Sequence, residues 1–213
     1  ERLIRVGITH GDINGIGYEV ILKTFSDLRI ADLCTPIIYG SSKIAAYHRK
    51  ALDLQPVNIS IISQAEEAGL NRINIINCAD EEAKVELGKS TTIAGEAAFK
   101  ALEAAVNELK RGVIDVRVTA PINKHNIQND QFHFPGHTEY LEERFGEGGD
   151  KSLMLLVKDS LRIALVTGHI PLADVPNAIS KEKIIDAAMR FETSLNRDFK
   201  IGKPRIAILS LNP

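Results

Sequence analysis

Short apolar, β-branched runs alternate with helix-period segments along almost the whole chain, and this alternation constrains the fold more than any other feature. Leu3 to Thr9, Thr35 to Tyr39, Val57 to Ile62, Arg72 to Asn77, Val113 to Val118 and Arg205 to Leu209 read as strands. Helices are expected from about Tyr18 to Leu28, from the Gly40-Ser41-Ser42 cap to about Leu52, over Ser90 to Arg111, and beyond a cap at Ser180. In the third, Ile93, Ala97, Ala101 and Ala105 fall on one stripe, with Ala98, Leu102 and Val106 beside it, and Gly112 ends the helix. In the last, Ile184, Ala188, Phe191 and Leu195 share a face. Such alternation predicts an α/β fold with a mostly parallel sheet. Ser152 to Val157 and Leu161 to Val166, flanking Lys158-Asp159-Ser160, add an antiparallel hairpin.

The polar segment Asn126 to Gly136 breaks this rhythm and suggests a hinge, with a first α/β domain over residues 1–130 and a second over 131–213. Hydrophobic residues make up 44% and charged residues 25% of the chain, ordinary values for a globular protein. A net charge of -2 argues against a nucleic-acid partner held by bulk charge. No apolar run approaches the roughly 18 residues of a membrane span, and no signal-peptide pattern opens the chain. Cys34 and Cys78 stand alone, without a Cys-x-x-Cys, and read as thiols of a reducing compartment. Cytoplasm is the expected location.

Chemistry concentrates in four segments. Phe134-Pro-Gly-His-Thr-Glu139 places His137 and Thr138 behind a Pro-Gly turn, where a ring nitrogen and a hydroxyl could hold a polar small molecule. The same residues also read as a helix start, with Thr138 capping Glu139 to Phe145 and His137 merely exposed. Thr9-His-Gly-Asp12 through Gly15-Ile-Gly-Tyr-Glu19 forms a glycine-rich strand-to-helix turn. It is neither Gly-x-Gly-x-x-Gly nor a P-loop. It could aim free N–H groups at an anion, or it could need glycine only for a tight turn. Thr119-Ala-Pro-Ile-Asn-Lys124 and Val166-Thr-Gly-His-Ile-Pro-Leu172 complete the set. Three of the four lie just past the carboxyl ends of expected strands, where open α/β sheets bind ligands.

Together these segments resemble the 4-hydroxythreonine-4-phosphate dehydrogenase family, the NAD-dependent enzymes of pyridoxal phosphate biosynthesis. The resemblance runs from Val6 to Pro213. The chain departs from the family at Ile13 and Tyr18, where proline is usual, so no cofactor contact is carried onto the glycine loop.

The resemblance implies two α/β/α domains around an active-site cleft, of the isocitrate and isopropylmalate dehydrogenase type. It implies a homodimer with the site shared between subunits, NAD or NADP as cofactor, and a divalent metal (zinc, magnesium or cobalt). It implies a small phosphorylated amino-acid substrate, 4-phosphooxy-L-threonine, oxidised and decarboxylated to 3-amino-2-oxopropyl phosphate. His137 and Thr138 correspond to substrate-binding positions and His169 to a metal ligand. His10, His48, His125 and His133 match no ligand position and are expected at the surface. The other two metal histidines, the catalytic groups and much of the cofactor site of the family lie beyond Leu211-Asn212-Pro213. The chain therefore reads as a fragment, with both domains incomplete and no turnover of its own. Close relatives of the family act on threonate or erythronate phosphates. A metal-dependent hydrolase or lyase, or a non-catalytic binding module, are the readings from other classes.

Overall fold

The computed structural model describes residues 3–27, 29–80, 83–146 and 151–211. Leu28, Asn212 and Pro213, on which three of the expectations above fall, lie outside them. The chain forms two compact units, Glu1–Phe145 and Gly146–Pro213.

The first unit is built on a five-stranded, fully parallel sheet of strands β1 (Arg5–Thr9), β2 (Thr35–Gly40), β3 (Ile59–Ile62), β4 (Ile73–Asn77) and β5 (Val116–Thr119), in the order β3-β4-β2-β1-β5. A parallel strand inside such a sheet is covered on both faces and must be apolar throughout. Accordingly, every residue of β2 is buried. The edge strands β3 and β5 are half-exposed. Helices α1 (Gly17–Thr24), α2 (Ile30–Leu33), α3 (Ser42–Ala51) and α4 (Thr92–Lys110) lie in the crossovers between strands, and α5 (His137–Phe145) follows the last strand and packs on α4. Helix α1 stops at Thr24, earlier than its pattern suggests, because Ser26 and Asp27 fold back onto the carbonyls of Lys23 and Thr24.

Helix α4 is the main packing element. Ala97, Ala98, Ala101, Leu102, Ala105 and Val106 are all buried, as the stripe predicts, and only Ile93 in the first turn is exposed. Small residues on this face let the helix lie close to the sheet. The Thr91 side chain accepts from the Ala94 N–H and caps it, and Gly112 takes φ 70° behind it.

Residues 126–136 are not a hinge. Ile127 and Phe132 are fully buried against Ala98, Phe99, Leu102 and Val106 of α4, together with Tyr140 of α5. Phe99, Phe132, Phe134 and Tyr140 meet mostly edge-on, with centroids 5.3–6.4 Å apart. A β-carbon on Gly95 would stand 1.7 Å from the Asn126 carbonyl oxygen, so this segment rests on the α4 backbone itself. Burying Ile127 and Phe132, with Phe134 half-buried beside them, outweighs the polar residues of the segment. The first unit therefore runs on to Phe145, past the expected boundary at residue 130.

In the second unit, β6 (Leu155–Lys158) and β7 (Leu161–Ala164) pair antiparallel around Asp159-Ser160, with Asp159 at φ 49°. A short helix α6 (Val175–Ala178) precedes α7 (Lys181–Arg197), which Ser180 caps by accepting from the Lys183 N–H. Phe191 and Leu195 of α7 are buried, with Ile184 and Ala188 half-buried on the same face. Arg205 to Leu209, expected as a last strand, pairs with no other strand among the described residues. Its apolar pattern is real, but a strand exists only through a partner's N–H and C=O groups. Among the described residues no helix is long and apolar enough to cross a membrane.

Candidate functional site

Strand β1 has β2 on one side and β5 on the other, so the chain order reverses beside it. The loops leaving β1 and β5 meet at that switch point, where open parallel sheets place ligands. Ala120 N–H donates to Thr9 O (2.9 Å) and Asp12 N–H to Pro121 O (2.9 Å). Two glycines make this approach possible. Gly11 sits at φ 70°, and a β-carbon on Gly17 would stand 1.9 Å from the His10 carbonyl oxygen. The Asp12 carboxylate accepts from Asn14 N–H (2.9 Å), and Gly15 N–H donates to Asp12 O (3.0 Å). Three N–H groups of the glycine loop are thus engaged within the unit, which favours the tight turn over the anion cradle. Asn14 then ties the loop to the start of α4. Its amide donates to Lys89 O (2.8 Å) and Thr91 Oγ1 (3.0 Å) and accepts from Glu86 N–H (2.8 Å).

Behind the loop lies a stack of three rings. His10 stacks on Tyr18 at 5.1 Å, and Tyr18 on His48 at 5.3 Å. Tyr18 Oη accepts from Ser41 N–H (2.9 Å) and donates to Ser41 O (3.3 Å), and His48 Nε2 donates to Ile13 O (2.8 Å). His10 and His48 are therefore core residues, contrary to the surface expectation, while His125 and His133 are exposed. The reason is tertiary: α1 brings the Tyr18 ring between them, and the glycine loop brings the Ile13 carbonyl to His48. Burial holds both neutral and pulls His10 down to about 4.

On the other side of the switch point, the loop after β5 turns at Asn123, whose side chain accepts from the N–H groups of His125 (3.0 Å) and Asn126 (3.3 Å). Gln128 bridges it to the next turn by donating to Lys124 O (3.0 Å) and Phe134 O (2.9 Å). This fold-back sets Lys124 beside the Pro-Gly turn: its Nζ lies 4.0 Å from where a Gly136 β-carbon would stand. His137 is the first residue of α5 and Thr138 the second, so Thr138 lies inside the helix and does not cap it. Thr138 is exposed, whereas His137 is half-buried and its Nε2 is buried without a hydrogen-bond partner. Burial first, then the charges of Arg117 and Lys124, pull its ring down to about 4. Helix α5 is pinned to α4 by Tyr140, which donates to Glu103 (2.6 Å), and by Arg144, which reaches Glu103 and Asn107.

Arg117, inside β5, was not among the sequence candidates. Its Nη1 is buried without a partner, and burial lowers its affinity for the proton to about 10. The available clue was a lone cation between Val116 and Val118 in an apolar strand.

His169 belongs to the second unit. Strand β7 ends at Ala164, and His169 follows in irregular backbone, exposed and at φ 53°.

The family model of the pyridoxal phosphate biosynthetic protein PdxA matches residues 32–213. The chain belongs to this family. Over all 213 residues it is 61% identical to the 4-hydroxythreonine-4-phosphate dehydrogenase of Bacteroides thetaiotaomicron, covering 58% of that protein. It is 30% identical to a putative D-threonate 4-phosphate dehydrogenase of Clostridium botulinum, over 98% of this chain and 62% of that one. The crystal structure of a Burkholderia phymatum 4-hydroxythreonine-4-phosphate dehydrogenase matches all of this chain and 64% of its own, with a TM-score of 0.86 at 30% identity. The PdxA-family chain thus spans less than two thirds of the length of each of these relatives.

Among the described residues no three His, Cys, Asp or Glu side chains are grouped to hold a metal ion. His169 alone does not make a catalytic site, which ordinarily takes three protein ligands.

Proposed function

We propose that the protein carrying this chain is an NAD- or NADP-dependent dehydrogenase. It oxidises 4-phosphooxy-L-threonine, with loss of carbon dioxide, to 3-amino-2-oxopropyl phosphate in pyridoxal 5'-phosphate biosynthesis. The observation that carries this reading is the 61% identity, across the whole chain, to a relative of that name. The reading includes a cytoplasmic homodimer with a shared site. It also includes a divalent metal, with His169 one ligand and the others outside the described residues.

Within the first unit, His137 and Thr138 are assigned to hold the substrate. A neutral ring at His137 suits that role. Its Nε2 is buried and unpaired, so an arriving polar group satisfies it without first displacing a protein partner. Thr138, one residue further into α5, offers an exposed hydroxyl. The aromatic packing of Phe134 and Tyr140 on either side of the pair fixes the backbone that presents them.

A second reading, oxidation of D-threonate 4-phosphate, is favoured by the name of the Clostridium botulinum relative. One assay separates the two. The full-length protein is given NAD or NADP, a divalent metal and, in turn, 4-phosphooxy-L-threonine, D-threonate 4-phosphate and D-erythronate 4-phosphate. The highest kcat/KM is expected with the first. A clear preference for threonate phosphate supports the second reading, and no nicotinamide reduction with any of them removes the dehydrogenase reading.

A further inference from the structure

Helix α5 carries His137 and Thr138 in its first two positions, and it is too short to hold them there by itself. Isolated helices of fewer than about 12 residues are marginal in water, and α5 has nine. Thr138 is exposed, and His137 Nε2 has no hydrogen-bond partner among the described residues. The ties that seat the helix come after the pair, and they run to α4. Glu103, Asn107 and Lys110 fall on one stripe of α4, three and four residues apart. Tyr140 Oη donates to Glu103 Oε1 (2.6 Å), and Arg144 donates to the same oxygen and to Asn107 Oδ1 (2.8 Å). Lys110 Nζ lies 5.6 Å from the centre of the Phe145 ring.

These ties are unequal. A partly exposed ion pair such as Glu103 with Arg144 ordinarily contributes little. The tyrosine bond is of another kind. Tyr140 is 1% exposed, and its ring packs among Phe99, Phe132 and Phe134. Its hydroxyl therefore meets Glu103 at the end of a closely packed side chain. Burial first, then the bond to Glu103, keep that hydroxyl protonated and donating. The Tyr140 N–H in turn donates to the Gly136 carbonyl (3.4 Å), across the turn that contains His137 and Thr138. Glu103 thus grips α5 one turn beyond the pair, at the most deeply seated residue of the helix.

We propose that Glu103 of α4 is a positioning residue for the substrate: through Tyr140 it fixes the first turn of α5, and with it the direction in which His137 and Thr138 meet the ligand. The proposal rests on the reading that this pair holds the substrate. Hydrogen bonds weaken steeply as their angle opens, so a first turn that shifts on α4 loses the ligand even while α5 stays helical.

The test uses the full-length protein and 4-phosphooxy-L-threonine, the substrate of that reading. Glu103→Ala should raise KM about tenfold, with kcat within about threefold. Glu103→Gln keeps an acceptor for the Tyr140 hydroxyl and should recover most of the loss. Arg111→Met, which removes ion pairs to Glu66 and Glu108 at the end of the same helix, should change neither KM nor kcat. In a His137→Ala background, Glu103→Ala should raise KM less than in the parent, because a residue that acts through another is not additive with it. An equal rise in both backgrounds overturns the proposal, as does a folded Glu103→Ala protein with the parental KM. If that variant does not fold, Tyr140→Phe decides: the parental KM sinks the proposal and a severalfold rise supports it. Should His137→Ala itself leave KM unaltered, the substrate reading falls, and NMR of isotope-labelled histidine rings decides the positioning. A His137 resonance that moves in Glu103→Ala but not in Arg111→Met keeps it, and an unmoved resonance removes it.

Discussion

Gly11 has no room for a side chain: a β-carbon there would lie 2.1 Å from the Pro121 carbonyl oxygen, which the neighbouring Asp12 N–H already engages at 2.9 Å. The contact joins the loops leaving β1 and β5, so the switch point of the sheet is closed by backbone alone. Gly11→Ala must push the two loops apart and also hold an L-residue at φ 70°. The expected loss is about 2 kcal/mol or more, read as a lower thermal midpoint with reduced substrate affinity.

Tyr18→Phe keeps the ring stack and removes only the hydroxyl that accepts from and donates to Ser41. That leaves a buried Ser41 N–H at the start of α3 without its acceptor. A loss of about 1–3 kcal/mol is expected, measured by chemical unfolding. A neutral result would mean that water reaches Ser41.

Stability should fall as pH drops from about 6.5 toward about 4. His10 is held down to about 4 in the fold, first by burial, while its unfolded value is 6.5. Between those values the unfolded chain binds a proton that the folded one does not, so acid favours unfolding across that window. His48 and His137 are shifted in the same direction and add to the slope. Thermal midpoints followed from pH 7 to pH 4 should drop less steeply in His10→Phe than in the parent.

His137→Ala should lower kcat/KM of the full-length protein by about 10- to 100-fold, the worth of one hydrogen bond to a charged group. Its thermal midpoint should change little, because the side chain makes no hydrogen bond through Nε2 that folding would lose. Unfolding of the variant with full activity per folded molecule would make the histidine structural.

Zinc, cobalt or magnesium titrated into the 213-residue chain should bind weakly and without stoichiometry. His169 is exposed, and the described residues bring no three ligating side chains together. Tight binding abolished by His169→Ala would place further ligands within this chain.

What the sequence determined by itself is what short-range physics controls. The apolar runs and the α4 stripe specify strands and a helix by their own periods, and Ser41, Thr91 and Ser180 cap helices through hydrogen bonds to residues three positions away. The parallel α/β class follows from that order of elements. The family motifs made His137, Thr138 and His169 legible as candidates. Tertiary structure decided the rest. His10 and His48 look like surface residues until α1 and α3 close around them with Tyr18 between. The segment from Asn126 to Gly136 looks like a linker until its few aromatic side chains find α4. Arg205 to Leu209 looks like a strand but pairs with none of the described residues. Arg117 is one arginine among 26 basic residues until the register of β5 turns it toward the face that α4 covers, where its Nη1 is buried without a partner among the described residues. Each of these depends on which distant groups arrive to satisfy or desolvate a side chain, and local sequence carries no record of that.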